Sequence, residues 1–205
     1  LTGLCVADLV DFDDDGVEEL LTVTCGLDDN AFFTTWGTSA ANTAYEVNVW
    51  AYEDGGLRQA YSGNWVDNSN GAGEFLSLVN RDDQVFIRQM TYGLSADMQA
   101  KIAGGQTIAT ESYSFIGKAK NHFKTMDRAE FAGVWDSGES KSYCTINGTD
   151  ASEEDLMSLM SKYGDYRTYN LVDFSYEGSS YSESSSLGIK QVQKKTANTL
   201  AKLAD

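Results

Sequence analysis

Asp11, Asp13, Asp15 and Glu19 recur through the run Asp11-Phe12-Asp13-Asp14-Asp15-Gly16-Val17-Glu18-Glu19-Leu20. Residue types at this spacing can chelate a cation. A hard ion such as Ca²⁺ takes six to eight oxygens at short distance, and carboxylates at alternate positions around a tight turn supply them. The Val17 carbonyl lies between the last two side chains and completes a candidate ligand set of Asp11, Asp13, Asp15, Val17 and Glu19. Gly16 permits the sharp backbone turn that would aim these groups at one point. Four converging carboxylates repel one another unless positive charge sits between them. A metal-free acidic turn is the competing reading.

The flanks decide what kind of loop this would be. An EF-hand needs a bidentate Glu at its twelfth position and a helix on either side. Counted from Asp11, that position is Thr22. The segments Leu4 to Val10 and Leu20 to Cys25 are rich in apolar and β-branched residues, which predicts strands. The unit is therefore strand, acidic loop, strand. It resembles the FG-GAP/VCBS calcium loop of integrin-like propellers. It is closer to the D-x-D-x-D-G-x-x-E-L segment carried singly by secreted proteins and lipoproteins of gut Firmicutes, many of unknown function. The specific resemblance covers about residues 4–25, and a vaguer likeness runs through the later hairpins and the Asn147-Gly148 junction. It implies an extracellular or cell-surface bacterial β protein stabilised by Ca²⁺, and it implies no catalytic residues.

Hairpins account for most of the remaining pattern. Tyr45, Val47, Val49 and Ala51 alternate as a half-buried strand does, Glu53-Asp54-Gly55-Gly56 turns, and Leu57 to Tyr61 returns. A second hairpin is expected over Glu74 to Val79 and Val85 to Met90, turning at Asn80-Arg81-Asp82-Asp83. A third is expected over Met98 to Ala103 and Thr107 to Phe115, turning at Gly104-Gly105. Ser142 to Ile146 reads as a later strand that ends at Asn147-Gly148, before a helix from about Ala151 to Tyr163 with Asp150 and Glu153 at capping-box spacing. A second helix is expected from Ile189 to Leu203, with Ile189, Val192, Thr196, Leu200 and Leu203 on its packed side. Glu177 to Ser186, rich in Ser and Gly, reads as a flexible loop. The fold class is thus α+β: a single domain over 1–205, mostly antiparallel hairpins to about 146 with two packed helices in 147–205. A partial β-propeller is the alternative, weakened because one loop motif appears where several should repeat.

Charge narrows the partners. The formal net charge is −16, and the first quarter holds twelve acids and no Lys or Arg before Arg58. The remainder carries nineteen acids against fifteen bases. This balance argues against nucleic acid, whose binding needs basic groups, and against anionic lipid. No apolar run approaches a membrane span. The chain opens at Leu1 in the approach to a strand, so a processed or truncated form that has lost any targeting segment is expected. Cys5 and Cys25 are symmetric about Asp15. If the strands pair around that centre the two would lie opposite each other and could form a disulfide, and two buried thiols is the other reading.

Signatures of catalysis are missing. The chain has no G-x-S-x-G elbow, Walker A, G-x-G-x-x-G or H-E-x-x-H, and His122 is its one histidine. The 26–44 segment, with Phe32, Phe33 and Trp36, could be a binding loop or could pack onto the core, and Trp36, Trp50, Trp65 and Trp135 could stack on sugars or serve as core residues. Asp67, Ser69 and Gly71, near Asn64 and Glu74, could form a degenerate second cation loop, with a Gly/Asn-rich turn as the plainer reading. The expectation is a non-catalytic secreted module with a structural Ca²⁺ loop that could also serve adhesion, its partner an extracellular protein or glycan. The alternatives are a carbohydrate- or peptide-binding module and a hydrolase using a carboxylate pair distant in sequence.

Overall fold

Apolar and β-branched residues on either side of the acidic run make two antiparallel strands, β1 (Gly3–Val10) and β2 (Glu19–Leu27), with Val10 opposite Glu19. The computed structural model describes residues 3–27, 43–53, 55–66, 75–91, 93–170 and 186–204. β3 (Thr43–Glu53) pairs with β2, and β4 (Gly56–Val66) pairs with β3 after a turn at Gly55, whose φ of +81° suits glycine. These strands form a four-stranded meander in the order β1-β2-β3-β4.

The second hairpin forms where the sequence predicts it. β5 (Phe75–Arg81) and β6 (Gln84–Thr91) are joined by Asp82 and Asp83, both at positive φ, a backbone whose twist matches that of the strands. The first arm of the third expected hairpin does not form. Ala96–Lys101 is a helix, α1, in which the Ser95 side chain accepts a hydrogen bond from the Met98 amide and Met98 alone is buried. A capping serine followed by good helix formers outweighs a segment with no true alternation. β7 (Gln106–Ala119) runs beyond the expected Thr107 to Phe115, turns at Lys120 with φ +59° and pairs with β8 (His122–Asp136), a strand for which the sequence reading has no counterpart. β9 (Glu139–Ile146) and β10 (Thr149–Ala151) make a further hairpin through Asn147 and Gly148, so this junction leads first into a short strand and only then into a helix.

That helix, α2 (Glu153–Ser161), is capped by Ser152 and not by Asp150, because Ser152 and Asp155 exchange side-chain and backbone hydrogen bonds in a capping box. Gly164, just past the end of the helix, begins β11 (Gly164–Asn170), which pairs antiparallel with β5. β12 (Ser186–Leu187) pairs parallel with β11 and leads into α3 (Ile189–Ala204). The second sheet has eight strands in the order β10-β9-β8-β7-β6-β5-β11-β12. The fold is α+β, and its described strands make two sheets with no ring of blades. No helix among the described residues is long and apolar enough to cross a membrane. The 28–42 part of the expected binding loop, the Asp67-Ser69-Gly71 turn and most of the Glu177 to Ser186 loop lie outside the described residues.

The meander packs face to face on the large sheet. Leu21, Val23, Val47 and Val49 from one layer meet Leu76, Leu78, Ile87 and Ile116 from the other in one apolar cluster. A second cluster, on the far face of the large sheet, joins Val79, Phe86, Phe115 and Ala129 to Leu159 and Tyr163 at α2. α3 covers the free edge of β1. Its Thr196 hydroxyl accepts from the Ala7 amide at 3.1 Å and donates to the Cys5 carbonyl at 3.4 Å. Among its described side chains Val192, Thr196 and Thr199 are buried, while Leu200 and Leu203, expected on the packed side, are exposed.

The register also settles where the cysteines stand. The pairing beside the loop, Val10 with Glu19, is already one residue off symmetry about Asp15, and a bulge between Leu4 and Val6 shifts it by one more, so Cys25 stands opposite Gly3 and not opposite Cys5. Cys5 is a buried thiol that donates to the Gly3 carbonyl.

Candidate metal centre

The acidic loop, residues 11–18, is held in a turn by its own carboxylates. Asp11 accepts from the Asp15 amide at 3.2 Å with one oxygen and from the Gly16 amide at 2.9 Å with the other. Asp15 accepts from the Val17 amide at 2.8 Å. Asp14 and Gly16 adopt left-handed φ values of +57° and +85°, which aspartate tolerates and glycine favours. The result brings Asp11, Asp13 and Asp15 together, each with a carboxylate oxygen within 4.8 Å of the others. Such an oxygen-only group could hold a metal ion of the hard class. Val17 is exposed, and its amide is taken by Asp15. Thr22 lies in β2 and accepts from the Trp50 indole N–H, so it contributes nothing to the loop.

Two residues outside the sequence-derived ligand set fix this loop to the rest of the fold. Phe12, a spacer in the motif, is fully buried. Its ring meets Phe123 edge-on, with centroids 5.0 Å apart. Its carbonyl accepts from the Val85 amide of β6 at 3.0 Å, and its own amide donates to Glu19 at 3.3 Å. The loop is thus pinned to the large sheet by one aromatic ring and one backbone hydrogen bond, while the Phe12 amide ties it to the Glu19 carboxylate of its own hairpin.

The second residue is Lys118 on β7. In the β7–β8 ladder Lys118 stands opposite Phe123, so the pair that receives Phe12 also presents an ammonium to the loop. Lys118 Nζ lies 2.6 Å from Glu19 Oε1, 2.9 Å from Asp13 Oδ1 and 3.6 Å from Asp15 Oδ2. The side chains of Lys118 and Glu19 are only 10% and 2% exposed. Burial pushes the Glu19 carboxyl up, and the hydrogen bonds from Lys118 and the Phe12 amide offset this in part. Burial alone would lower Lys118, but its hydrogen bonds to Glu19 and Asp13 outweigh that and hold the ammonium above the ordinary lysine range. Of the sequence-derived ligands, Asp11, Asp13 and Asp15 converge, and Glu19 joins them through a lysine.

The other buried acids have internal partners as well. Asp8 is held by Arg167, by the Tyr169 hydroxyl and by Lys195 at 2.8 Å, which ties β1 to β11 and α3. Glu130 accepts from the Ser95 amide and hydroxyl, Thr145 and Arg128. Partly buried Asp127 accepts from Tyr163, Arg81 and Asn147. His122 is exposed at the start of β8. Trp135 is 49% exposed near the far end of β8, whereas Trp50 is part-buried on Thr22; Trp36 lies outside the described residues, as does the Trp65 side chain.

Sequence reasoning missed Lys118 because it lies 99 residues beyond Glu19 in an ordinary strand position. The signal for Phe12 was present: an aromatic residue at the second position of an otherwise polar loop. No protein-family model, curated protein or solved structure matches this chain.

Proposed function

We propose that this chain is a non-catalytic extracellular or cell-surface β module whose 11–19 loop takes Ca²⁺ as a structural ion. The observation that carries the reading is the convergence of Asp11, Asp13 and Asp15 on one point at the junction of two packed sheets. Oxygen-only donors on a flexible turn suit Ca²⁺ better than Mg²⁺, which demands near-ideal octahedral geometry, and better than Zn²⁺, which favours nitrogen and sulfur. Asp11, Asp13, Asp15 and Glu19 would hold the ion with the Val17 carbonyl, and the ion would neutralise the loop where it rests against the large sheet. The extracellular placement rests on the likeness of this loop to those of secreted proteins. A structural role is supported by Asp8, Glu19 and Glu130, three buried carboxylates each engaged by internal donors. An adhesive role fits the same reading, with a protein or glycan as partner.

The test is thermal unfolding in EDTA, in Ca²⁺ and in Mg²⁺, with Asp13→Ala alongside. A Ca²⁺-selective rise is expected, equivalent to about 2.7 kcal/mol at a hundredfold excess over Kd, and it should vanish in the variant. Equal unfolding temperatures in all three buffers would refute the calcium reading.

A further inference from the structure

The ammonium of Lys118 stands among the same oxygens that would bind the ion. It is not a surface lysine resting on an acidic patch: nine-tenths of its side chain is buried, it arrives from the opposite sheet, and it contacts three of the four acidic candidates. Resting on the calcium reading above, we infer that Lys118 is a tethered internal cation and that its ammonium and Ca²⁺ are mutually exclusive occupants of the loop.

The argument is one of space and charge. Lys118 Nζ bridges Asp13 and Glu19 at 2.9 and 2.6 Å. An ion bound by both at the usual ~2.3–2.6 Å would lie within a few ångströms of the ammonium. Two unshielded positive centres that close, in a half-dry site, repel strongly. Calcium therefore enters only if Lys118 withdraws, and the lysine must give up its hydrogen bonds to Glu19 and Asp13 to do so. Two consequences follow. The loop keeps its shape without metal, because its charge is already partly balanced. Its calcium affinity is set by the lysine as well as by the carboxylates, which places the threshold above that of the same loop with a neutral residue at 118.

The experiment is calorimetric titration of Ca²⁺ into the full chain and into Lys118→Met, with unfolding of each followed in EDTA and in Ca²⁺. The variant is expected to bind at least tenfold more tightly and to depend more on Ca²⁺ for its stability. Silence in the parent with binding in the variant would uphold the lysine's role and refute the claim that the native loop takes calcium. Equal affinities would refute mutual exclusion and leave the calcium reading standing. Binding by neither would refute both. If Lys118→Met does not fold, the parent alone decides. The nitrogen-15 ammonium resonance of Lys118 should shift and lose its protection as Ca²⁺ saturates the chain, and a resonance unmoved by saturating Ca²⁺ would overturn the inference.

Discussion

Truncating Phe12 to alanine isolates what holds the acidic loop in place. The ring is fully buried, packs edge-on against Phe123 and belongs to the cluster between the two sheets. Removing it forfeits the transfer free energy of the side chain and leaves a cavity that the rigid sheets cannot close, which costs about 3–5 kcal/mol. The backbone hydrogen bonds of residue 12 to Glu19 and Val85 survive in principle, so the loss is chiefly one of packing. For a chain of this size each kcal/mol lowers Tm by about 2–4 °C, so a fall of roughly 6–20 °C is expected. Urea unfolding followed by circular dichroism, with and without Ca²⁺, gives the free energy directly. Phe12→Leu, which keeps most of the volume, should recover more than half of the loss. A cost for Phe12→Ala below about 0.5 kcal/mol, the range of an ordinary surface substitution, would refute the reasoning. It would mean that the loop is held by its polar turn alone.

Two further outcomes follow from the packing and the charges. Gly117→Ala would set a Cβ 2.5 Å from a Phe86 ring carbon, and overpacking of this kind should destabilise by about 1–3 kcal/mol in urea unfolding; no change in midpoint would show that the ring yields freely. Burial alone would raise Asp127, but hydrogen bonds from Tyr163, Asn147 and Arg81 outweigh it and hold the carboxyl below the usual range. A carboxylate lowered in the folded state contributes stability that is full above its unfolded pKa, near ~3.9, and is lost as pH falls through the folded value. Stability measured from pH 6 to pH 2 should therefore fall steeply below about pH 4, and the fall should be shallower in Asp127→Asn; identical slopes would refute the assignment.

The parts of the fold legible in sequence are those fixed by near neighbours. Alternation in Tyr45 to Ala51 and the Asp82-Asp83 turn each announce a hairpin, because strand and turn preferences act over a few residues. The acidic loop is legible for the same reason. β11 was hidden because its inward positions include Arg167, whose partner Asp8 lies 159 residues away, so the polar-inward pattern looks like no strand at all. α1 was misread because Met98 is its single buried anchor and makes no helical stripe. Lys118 carries no local mark of its role. Its identity matters only once the sheets have stacked, and that stacking is a property of the whole chain.

The covering of β1 by α3 has a consequence for biogenesis. The Ala7 amide waits for a hydroxyl 189 residues downstream, so during synthesis the first strand emerges long before the helix that shields its edge. A bare strand edge is a template for pairing with another chain, and contacts of such sequence separation form slowly. The segment exposed during this interval is the one that holds twelve acids and no base. Two nascent copies would repel each other along the whole of it, so the acidity of the first quarter acts as a guard against aggregation until the last helix arrives.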